Sequence, residues 1–267
     1  MDEPEVLYAV DESVATITLN APDRLNALSE GMLRGLDAAA ARAQDDPAVR
    51  VVVLTGAGRA FCAGGDVKSM AQAADEGPDR RRGTVALVQQ AQLALRRIAK
   101  PLVAAVNDPA YGAGLDIASA ADFRLAARSA RFCEIYVRLG LAPGGGGFWL
   151  LPRIVGLTRA LELVLTGETI DAERALAIGL VSEVAEDTEL PAATRAFARR
   201  FARGAARRPG HQACPLPWPR DVLRRRTRAD PATCRGPAPH RGPPRGAGGG
   251  AREARAAVSR PVSGCAR

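Results

Sequence analysis

The chain has 267 residues, enough for one large domain or for one domain with an appendage. Its formal charge of +8 is uneven, because residues 204–267 carry 14 arginines against 3 acidic residues, which leaves residues 1–203 at −3. The longer part therefore gives no indication of nucleic-acid binding. No apolar run approaches the ~20 residues of a membrane span, and the acidic residues 1–5 lack the apolar region of a secretory signal.

In the first half of the chain, the spacing of the apolar residues predicts both strands and helices. Alternating apolar residues indicate strands, and apolar residues three or four positions apart indicate helices. In chain order they are a hairpin of residues 6–10 and 14–19, a helix over 26–42 with Asn26 as its N-cap, a buried strand over 49–55 and a helix over 84–99. Lys100 precedes a proline, a position that disfavours helix, and so ends the last of them.

The second half predicts further strands that alternate with helices. These are strands over 102–106, 123–127 and 181–184, and helices over 112–121, 157–166, 172–178 and from 192 onward. A loop is expected from Arg128, and the Pro-Gly-Gly-Gly-Gly run at residues 143–147 predicts a flexible turn. Gly167 ends one helix and Asp171 caps the next. Repeated strand–turn–helix units predict an α/β fold with parallel pairing.

The pattern of apolar residues is lost after about Gly204. Residues 204–267 hold 10 of the 19 prolines and 9 of the 27 glycines, and interrupt a predicted helix. Three interpretations fit this segment: a disordered basic tail, a nucleic-acid-binding arm, or a reading-frame error in a GC-rich gene. We favour the third, because the change in composition is abrupt. The predicted organisation is a core over residues 1–203 and an atypical Arg/Pro/Gly-rich tail over 204–267.

Cysteine and histidine usage narrows the chemistry. The five cysteines have no metal-type spacing, and their odd number without a signal peptide predicts reduced thiols in the cytoplasm. They are Cys62, Cys133, Cys214, Cys234 and Cys265. Both histidines, His211 and His240, follow residue 203, so the core has no histidine for acid–base catalysis. The two core cysteines are interpreted as small buried residues, since nothing beside them would lower a thiol pKa.

Two short glycine turns stand out, at residues 60–67 and 110–116. Each follows an apolar strand, at 51–54 and 102–106, and each precedes a predicted helix. A small-residue turn that opens a helix leaves backbone N–H groups unpaired. Two such turns brought together can hold one oxygen between two donors, which stabilises an enolate or oxyanion.

These turns resemble the oxyanion-hole signature of the crotonase (enoyl-CoA hydratase/isomerase) superfamily. With these turns at residues 61–66 and 112–114, four more blocks follow the family's order: residues 20–28, 130–132, 140–143 and 151–156. The resemblance covers about residues 5–203 and implies a crotonase-like β-β-α spiral. Family members commonly form homotrimers or hexamers through a C-terminal helical segment, whereas residues 204–267 show no such pattern.

The resemblance also implies roles for individual residues. The thioester carbonyl would lie between the N–H groups of Gly65 and Ala113. The implied CoA-binding residues are Arg24, Ala27, Ala63, Gly64, Asp66, Val67 and Lys68. For the charges of Arg24 and Lys68, CoA phosphates and plain solvent both remain open as partners. No metal or redox cofactor is implied, since CoA is part of the substrate.

The acid–base positions depart from the two glutamates of crotonase-type hydratases. Asp116 stands at the first position, one methylene shorter, and Tyr136 stands at the second. Asp116 is the best candidate for a base, and a role at the helix dipole is its alternative. Glu134 is a further candidate, with a surface salt bridge as the alternative. Tyr136 either orients substrate or donates a proton, or it is a pocket-wall aromatic.

The resulting expectation is a cytoplasmic enzyme of fatty acid metabolism that acts on a CoA thioester through an enolate. Hydration of a trans-2-enoyl-CoA is the default reaction. Double-bond isomerisation is the closest alternative, because one carboxylate base suffices for it. A non-catalytic acyl-CoA- or RNA-binding protein and an inactive gene product are the remaining alternatives. Neither a membrane nor a nucleic acid is expected as a partner of the enzyme.

Overall fold

The computed structural model describes residues 3–66 and 78–206. The strands are β1 (Val6–Asp11), β2 (Val14–Leu19), β3 (Val51–Gly56), β4 (Leu102–Val106), β5 (Ala110–Tyr111), β6 (Phe123–Ala127), β7 (Arg131–Cys133), β8 (Thr169–Asp171) and β9 (Glu183–Ala185). The helices are α1 (Glu30–Asp45), α2 (Pro78–Arg97), α3 (Ala113–Ser119), α4 (Gly147–Val155), α5 (Leu157–Thr166), α6 (Ala172–Ala177) and α7 (Leu190–Ala206). Two 3₁₀ turns occupy Pro22–Arg24 and Ile135–Leu139.

The main sheet has six strands in the order β1-β2-β3-β4-β6-β9. β1 and β2 pair antiparallel as the predicted hairpin, and every later neighbour pairs parallel. A second sheet orders β5-β7-β8. Parallel strands need crossover connections, which here run through the helices. The predicted mixed α/β fold with parallel pairing is confirmed.

The main sheet is covered on both faces. β3 sends alternate side chains to two apolar clusters: Val52 and Leu54 join the larger one, and Val51 and Val53 the smaller. The larger cluster includes residues of α1, α2 and α3. The smaller one lies under α7, where the Phe197 ring meets Phe123 with centroids 5.3 Å apart. Continuous burial on both faces explains why β3 and β4 read as unbroken apolar runs.

Asn26 does not cap α1, and the prediction that it does is wrong. The N-cap is Ser29, whose hydroxyl accepts a hydrogen bond from the Met32 N–H at 3.0 Å. Asn26 is buried with a left-handed φ of 54°. Its side chain donates to the Ala57 and Ala60 carbonyls and accepts from the Ala21 N–H. Asn26 therefore ties the segment before α1 to the loop after β3.

Three short strands were not predicted. β5, β7 and β8 have two or three residues each, too few for an apolar alternation to show. β7 lies where a loop was expected, and it pairs with β5 through Tyr111 and Cys133. These pairings bring the chain after β7 next to the start of α3.

The described part of the chain extends along α7 to residue 206. The core boundary predicted at residue 203 falls inside this helix, and residues 207–267 of the predicted tail lie outside the described residues. Within the described ranges, no helix is both long enough and apolar enough to cross a membrane.

Candidate active site

The two glycine turns lie side by side. Cys62, after β3, forms a parallel bridge with Ala110. The Cys62 N–H donates to the Pro109 carbonyl, and the Tyr111 N–H donates to the Cys62 carbonyl, both at 3.0 Å. The predicted convergence of the two turns is therefore present, and it is made by backbone hydrogen bonds.

Small residues are required where these turns touch. A methyl group on Gly114 would overlap the Cys62 carbonyl oxygen. Gly64 has a left-handed φ of 102°, and a methyl group there would lie 2.7 Å from the Tyr111 carbonyl oxygen and 3.7 Å from the Ala113 nitrogen. A side chain at either position would push the turns apart.

Two backbone N–H groups are left over at this junction. Ala113 is the first residue of α3, so its N–H has no partner within the helix. Gly65 is half-buried in the neighbouring turn. Within residues 3–66 and 78–206, neither the Gly65 nor the Ala113 N–H has a hydrogen-bond acceptor. The geometry thus leaves two donors free beside the Gly64–Tyr111 contact.

The segment before α1 runs along the first turn. The Leu28 N–H donates to the Gly64 carbonyl at 2.8 Å, and the Ala63 N–H donates to the Leu25 carbonyl at 2.9 Å. This pairing places the predicted CoA-binding residue Ala27 next to Ala63 and Gly64. Ala27 and Ala63 are both half-buried.

The charge of Arg24 is balanced within the described structure. Its guanidinium forms ion pairs with Glu5 and with Asp66, the latter at 3.4 Å. Arg24 and Asp66, both predicted at the CoA site, therefore contact each other. Two further predicted residues, Val67 and Lys68, lie outside the described residues.

Asp116 is a buried carboxylate one helical turn after Ala113. It is fully buried, and the Tyr136 hydroxyl donates a 2.6 Å hydrogen bond to its Oδ2. Burial raises the pKa of Asp116 to about 6, and the Tyr136 hydroxyl and the nearby Gly145 and Gly147 N–H groups oppose that rise. Oδ1 has no hydrogen-bond partner of normal geometry. A helix-dipole role alone does not account for a carboxylate held this way.

Glu134 is buried beside Asp116 and forms no surface salt bridge. It is 1% exposed, and neither of its oxygens has a hydrogen-bond partner. Burial raises the pKa of Glu134, and the Asp116 charge raises it further. Its position is fixed by the preceding residue, since the Cys133 carbonyl accepts the Gly112 N–H at 2.8 Å. Glu134 therefore lies close to Asp116 in the folded chain.

The glycine run at residues 144–147 covers these carboxylates. A methyl group on Gly147 would overlap Asp116 Oδ1 and come within 3.0 Å of Glu134 Oε1. One on Gly145 would lie 2.5 Å from Asp116 Oδ2. The description of this run as a flexible turn was therefore incomplete. Its four successive glycines before an apolar helix were the signal that a backbone passes close to other groups here.

Gln92 was missed by the sequence analysis. It lies in α2 with 6% exposure, and its amide Nε2 donates to the Asp116 backbone carbonyl at 3.1 Å. A methyl group on Gly146 would overlap the Gln92 side-chain amide. Gln92 thus supports both α3 and the glycine run. A polar residue within an amphipathic helix gave no sign of this role.

The core cysteines are buried, as predicted. Burial raises the pKa of the Cys62 thiol to about 12 and also raises the pKa of Cys133. The Cys133 thiol lies 3.0 Å from the Gly167 carbonyl oxygen. Neither residue is set up as a thiolate nucleophile.

Comparison with known proteins decides the family. A family model described as enoyl-CoA hydratase/isomerase matches residues 9–208. The chain belongs to the enoyl-CoA hydratase/isomerase family. The crotonase resemblance is thus confirmed. The match to the family model ends at residue 208, a few residues after Gly204, where the pattern of apolar residues is lost.

Relatives within this family are named for different activities. The chain is 38% identical over 210 residues to trans-2-decenoyl-(acyl-carrier-protein) isomerase of Streptococcus mutans, which covers 77% of this chain and 78% of that protein. It is 43% identical over 182 residues to a probable enoyl-CoA hydratase of Mycobacterium tuberculosis, with coverages of 68% and 70%. The enoyl-CoA hydratase structure from Bacillus anthracis superposes with a TM-score of 0.71 at 33% identity, over 74% of this chain and 76% of that one. The family is an enzyme family whose fold this chain shares.

Proposed function

We propose that this enoyl-CoA hydratase/isomerase-family protein moves the double bond of an enoyl-CoA, with Asp116 as the base. The observation that carries the proposal is the placement of Asp116. It lies one helical turn after the free Ala113 N–H, buried and held by the Tyr136 hydroxyl. A base in this position is close to a substrate whose carbonyl oxygen binds at Ala113.

The backbone donors would stabilise the charge that forms during the reaction. When a proton leaves carbon next to the thioester, the electron pair moves onto the carbonyl oxygen as an enolate. The N–H groups of Gly65 and Ala113 would receive that oxygen between them. One such donor is typically worth about 3 kcal/mol of barrier, so the two supply a large part of the catalysis.

Asp116 has the electrostatic character of a general base near neutral pH. Burial raises the pKa of Asp116 above that of an ordinary aspartate, which makes the carboxylate a stronger proton acceptor. The Tyr136 hydrogen bond fixes Oδ2. Oδ1 keeps its lone pairs for the proton that is transferred.

Hydration is the second candidate, and the position of Glu134 favours it. Hydration uses one group to activate water and another to protonate carbon. Tyr136 occupies the position of the second hydratase glutamate, but the buried Glu134 offers a second carboxyl group nearby. One relative is named an isomerase and another a probable hydratase, so both candidates have relatives in the family.

The CoA contacts and the assembly are further parts of the proposal. Ala27, Ala63, Gly64 and Asp66 would border the CoA moiety, as would Val67 and Lys68. Arg24 would meet a CoA phosphate only by exchanging its ion pairs with Glu5 and Asp66. No metal or redox cofactor takes part in this scheme. A homotrimer or hexamer is the assembly that the family implies, and a monomer is the alternative because residues 204–267 lack the family's helical pattern. Light scattering of the purified chain measures it.

The test compares two substrates and one ligand. We expect the purified chain to convert a 3-enoyl-CoA into its 2-enoyl isomer faster than it hydrates a 2-enoyl-CoA. Acetoacetyl-CoA, whose enolate resembles the intermediate, should raise the melting temperature more than free CoA does. Faster hydration than isomerisation would select the second candidate. No turnover of either substrate and no response to acetoacetyl-CoA would refute the enzyme proposal.

A further inference from the structure

Glu134 is an unusual group to bury, because no hydrogen bond or ion pair in the described structure offsets the loss of its contacts with water. It is 1% exposed, both side-chain oxygens lack a hydrogen-bond partner, and no arginine or lysine of the described residues pairs with it. A buried carboxylate without partners costs several kcal/mol, so such a group remains neutral at ordinary pH. A structural role would be filled at lower cost by glutamine or leucine.

The neighbour of Glu134 is the proposed base. A methyl group added to Gly147 would contact both Asp116 Oδ1 and Glu134 Oε1, which places the two oxygens within about 6 Å of each other. The titratable groups that face Glu134 are Asp116 from α3, Tyr136 from the 3₁₀ turn and Cys133 from β7. None of them is a cation. Each carboxyl group disfavours ionisation of the other, and only Asp116 accepts a hydrogen bond, from the Tyr136 hydroxyl, that stabilises its ionised form. Asp116 is therefore the member of the pair that ionises first.

Backbone contacts place residue 134 next to the start of α3. β7 pairs with β5 so that Tyr111 is opposite Cys133, and the Gly112 N–H bonds to the Cys133 carbonyl. Glu134 is the next residue along the chain, at the start of the 3₁₀ turn. Residue 134 thus directly follows the strand that pairs with β5, and its side chain lies close to Asp116, one helical turn from Ala113, where the thioester carbonyl would bind.

We propose that Glu134 is a second catalytic carboxyl group, a general acid that returns a proton to the substrate after Asp116 has removed one. This assignment rests on the isomerase function proposed above. Asp116 takes a proton from the carbon next to the thioester, and the C–H electron pair enters the dienolate. The Glu134 O–H then protonates the far carbon of the dienolate, whose electron pair forms the new C–H bond.

The cycle closes within the pair of carboxyl groups. After the two transfers Asp116 is neutral and Glu134 is ionised. A proton then passes from Asp116 to Glu134 and restores the starting state. No metal, oxidant or other reactant is consumed. The hydrogen that the substrate receives is therefore not the hydrogen that it lost.

The first experiment follows that hydrogen in the wild-type chain. A 3-enoyl-CoA with deuterium on the carbon next to the thioester is converted in ordinary water, with enzyme in excess so that each molecule turns over once. We expect a 2-enoyl product without deuterium at its new C–H bond. Deuterium carried from the first carbon to the far one would overturn the assignment, because it means that one base moves the same proton. This measurement needs no variant.

The second experiment uses Glu134→Gln, which keeps the size of the neutral side chain but has no proton to give. Loss of a general acid should lower kcat by at least about 100-fold with little change in KM. The matched control is Ser119→Ala. Like Glu134, Ser119 is a buried polar residue without a hydrogen-bond partner, but it lies at the far end of α3, so this change should leave kcat unaltered. A Glu134→Gln variant with wild-type kcat would overturn the assignment.

The variant Asp116→Asn separates this assignment from the proposed function. If Asp116→Asn is inactive and Glu134→Gln is fully active, the isomerase proposal stands and the role of Glu134 is refuted. If the wild-type chain converts no enoyl-CoA and does not respond to acetoacetyl-CoA, both are refuted. Infrared spectra give a readout apart from activity: a carboxylic acid C=O band at neutral pH should be present in the wild type and absent in Glu134→Gln.

Discussion

Two halves of the candidate site meet at the start of α3, and they are made of different parts of the chain. The proposed oxyanion half consists of backbone N–H groups at Gly65 and Ala113, with small residues at the points of contact. The proposed acid–base half consists of the side chains of Asp116 and Glu134, which are buried beneath the glycine run, and of the half-buried Tyr136. The first half depends on backbone conformation and the second on ionisation.

This difference predicts opposite sensitivities. The backbone half should tolerate changes that preserve its N–H groups and its close contacts, whatever the side-chain chemistry. The side-chain half should lose function when a carboxyl group is replaced by an amide of the same shape, although folding is retained. Burial of Asp116 and Glu134 supports the second expectation, since a neutral isostere avoids the cost of desolvating a charge.

The largest expected effect tests the side-chain half. Asp116→Asn retains an acceptor for the Tyr136 hydroxyl but removes the base, so kcat should fall by about 10²–10⁴-fold while the melting temperature is unchanged or higher. Steady-state kinetics with a 3-enoyl-CoA and a thermal melt measure both. The control is Asp171→Asn at the N-cap of α6, because asparagine caps as well as aspartate. Near-normal kcat in Asp116→Asn would mean that the base is another group.

The second largest expected effect tests the backbone half by removing one of its N–H groups. Ala113→Pro removes one N–H at the first position of a helix, where proline is tolerated, so kcat should fall by about 10²–10³-fold with the fold intact. Ala172→Pro is the matched control, since Ala172 is also a buried alanine at the first position of its helix. Equal kcat in the two variants would contradict an oxyanion role for the Ala113 N–H.

A smaller effect measures how tightly the turns are held together. Gly114→Ala would place a methyl group into the Cys62 carbonyl oxygen and should cost about 1–3 kcal/mol of the free energy of unfolding. Gly83→Ala in α2 is the comparison, because no atom lies within 4 Å of its added methyl group. It should gain about 0.5–1 kcal/mol from helix propensity. Urea titrations measure both changes, and equal stability of the variants would show that the turns can separate without cost.

The smallest effect concerns the pKa of Asp116. The Tyr136 hydroxyl lowers that pKa by its hydrogen bond to the carboxylate, so Tyr136→Phe should raise it further. Because the base acts in its ionised form, the fall of kcat on acidification should then begin about one pH unit higher. The kcat at alkaline pH should change little. The pH dependence of kcat, measured for the wild type and for Tyr136→Phe, checks this. If kcat falls at the same pH in both proteins, Tyr136 does not tune Asp116 and is only a pocket-wall residue.

The regular elements could be predicted wherever their own residues carried a clear period. The hairpin, β4, β6 and α5 match their predicted bounds within a residue or two, because each has a continuous apolar pattern and a local stop signal such as Gly167. The start of α1 was misplaced because Asn26 and Ser29 are both good N-caps. The choice between them was made by the distant carbonyls of Ala57 and Ala60, which hold Asn26.

The sequence by itself determined the two glycine turns, since a run of small residues directly after a buried strand is a local pattern, although the contact between the turns is tertiary. It also placed Asp116 one helical turn beyond Ala113. Only the tertiary structure decided that Glu134 lies buried beside Asp116 and that glycines 145–147 pack over both. These contacts depend on the pairing of β5 with β7, two strands too short to leave a pattern. The pKa of a carboxyl group depends on its three-dimensional surroundings, so the acid–base half of the site became visible only in the folded chain.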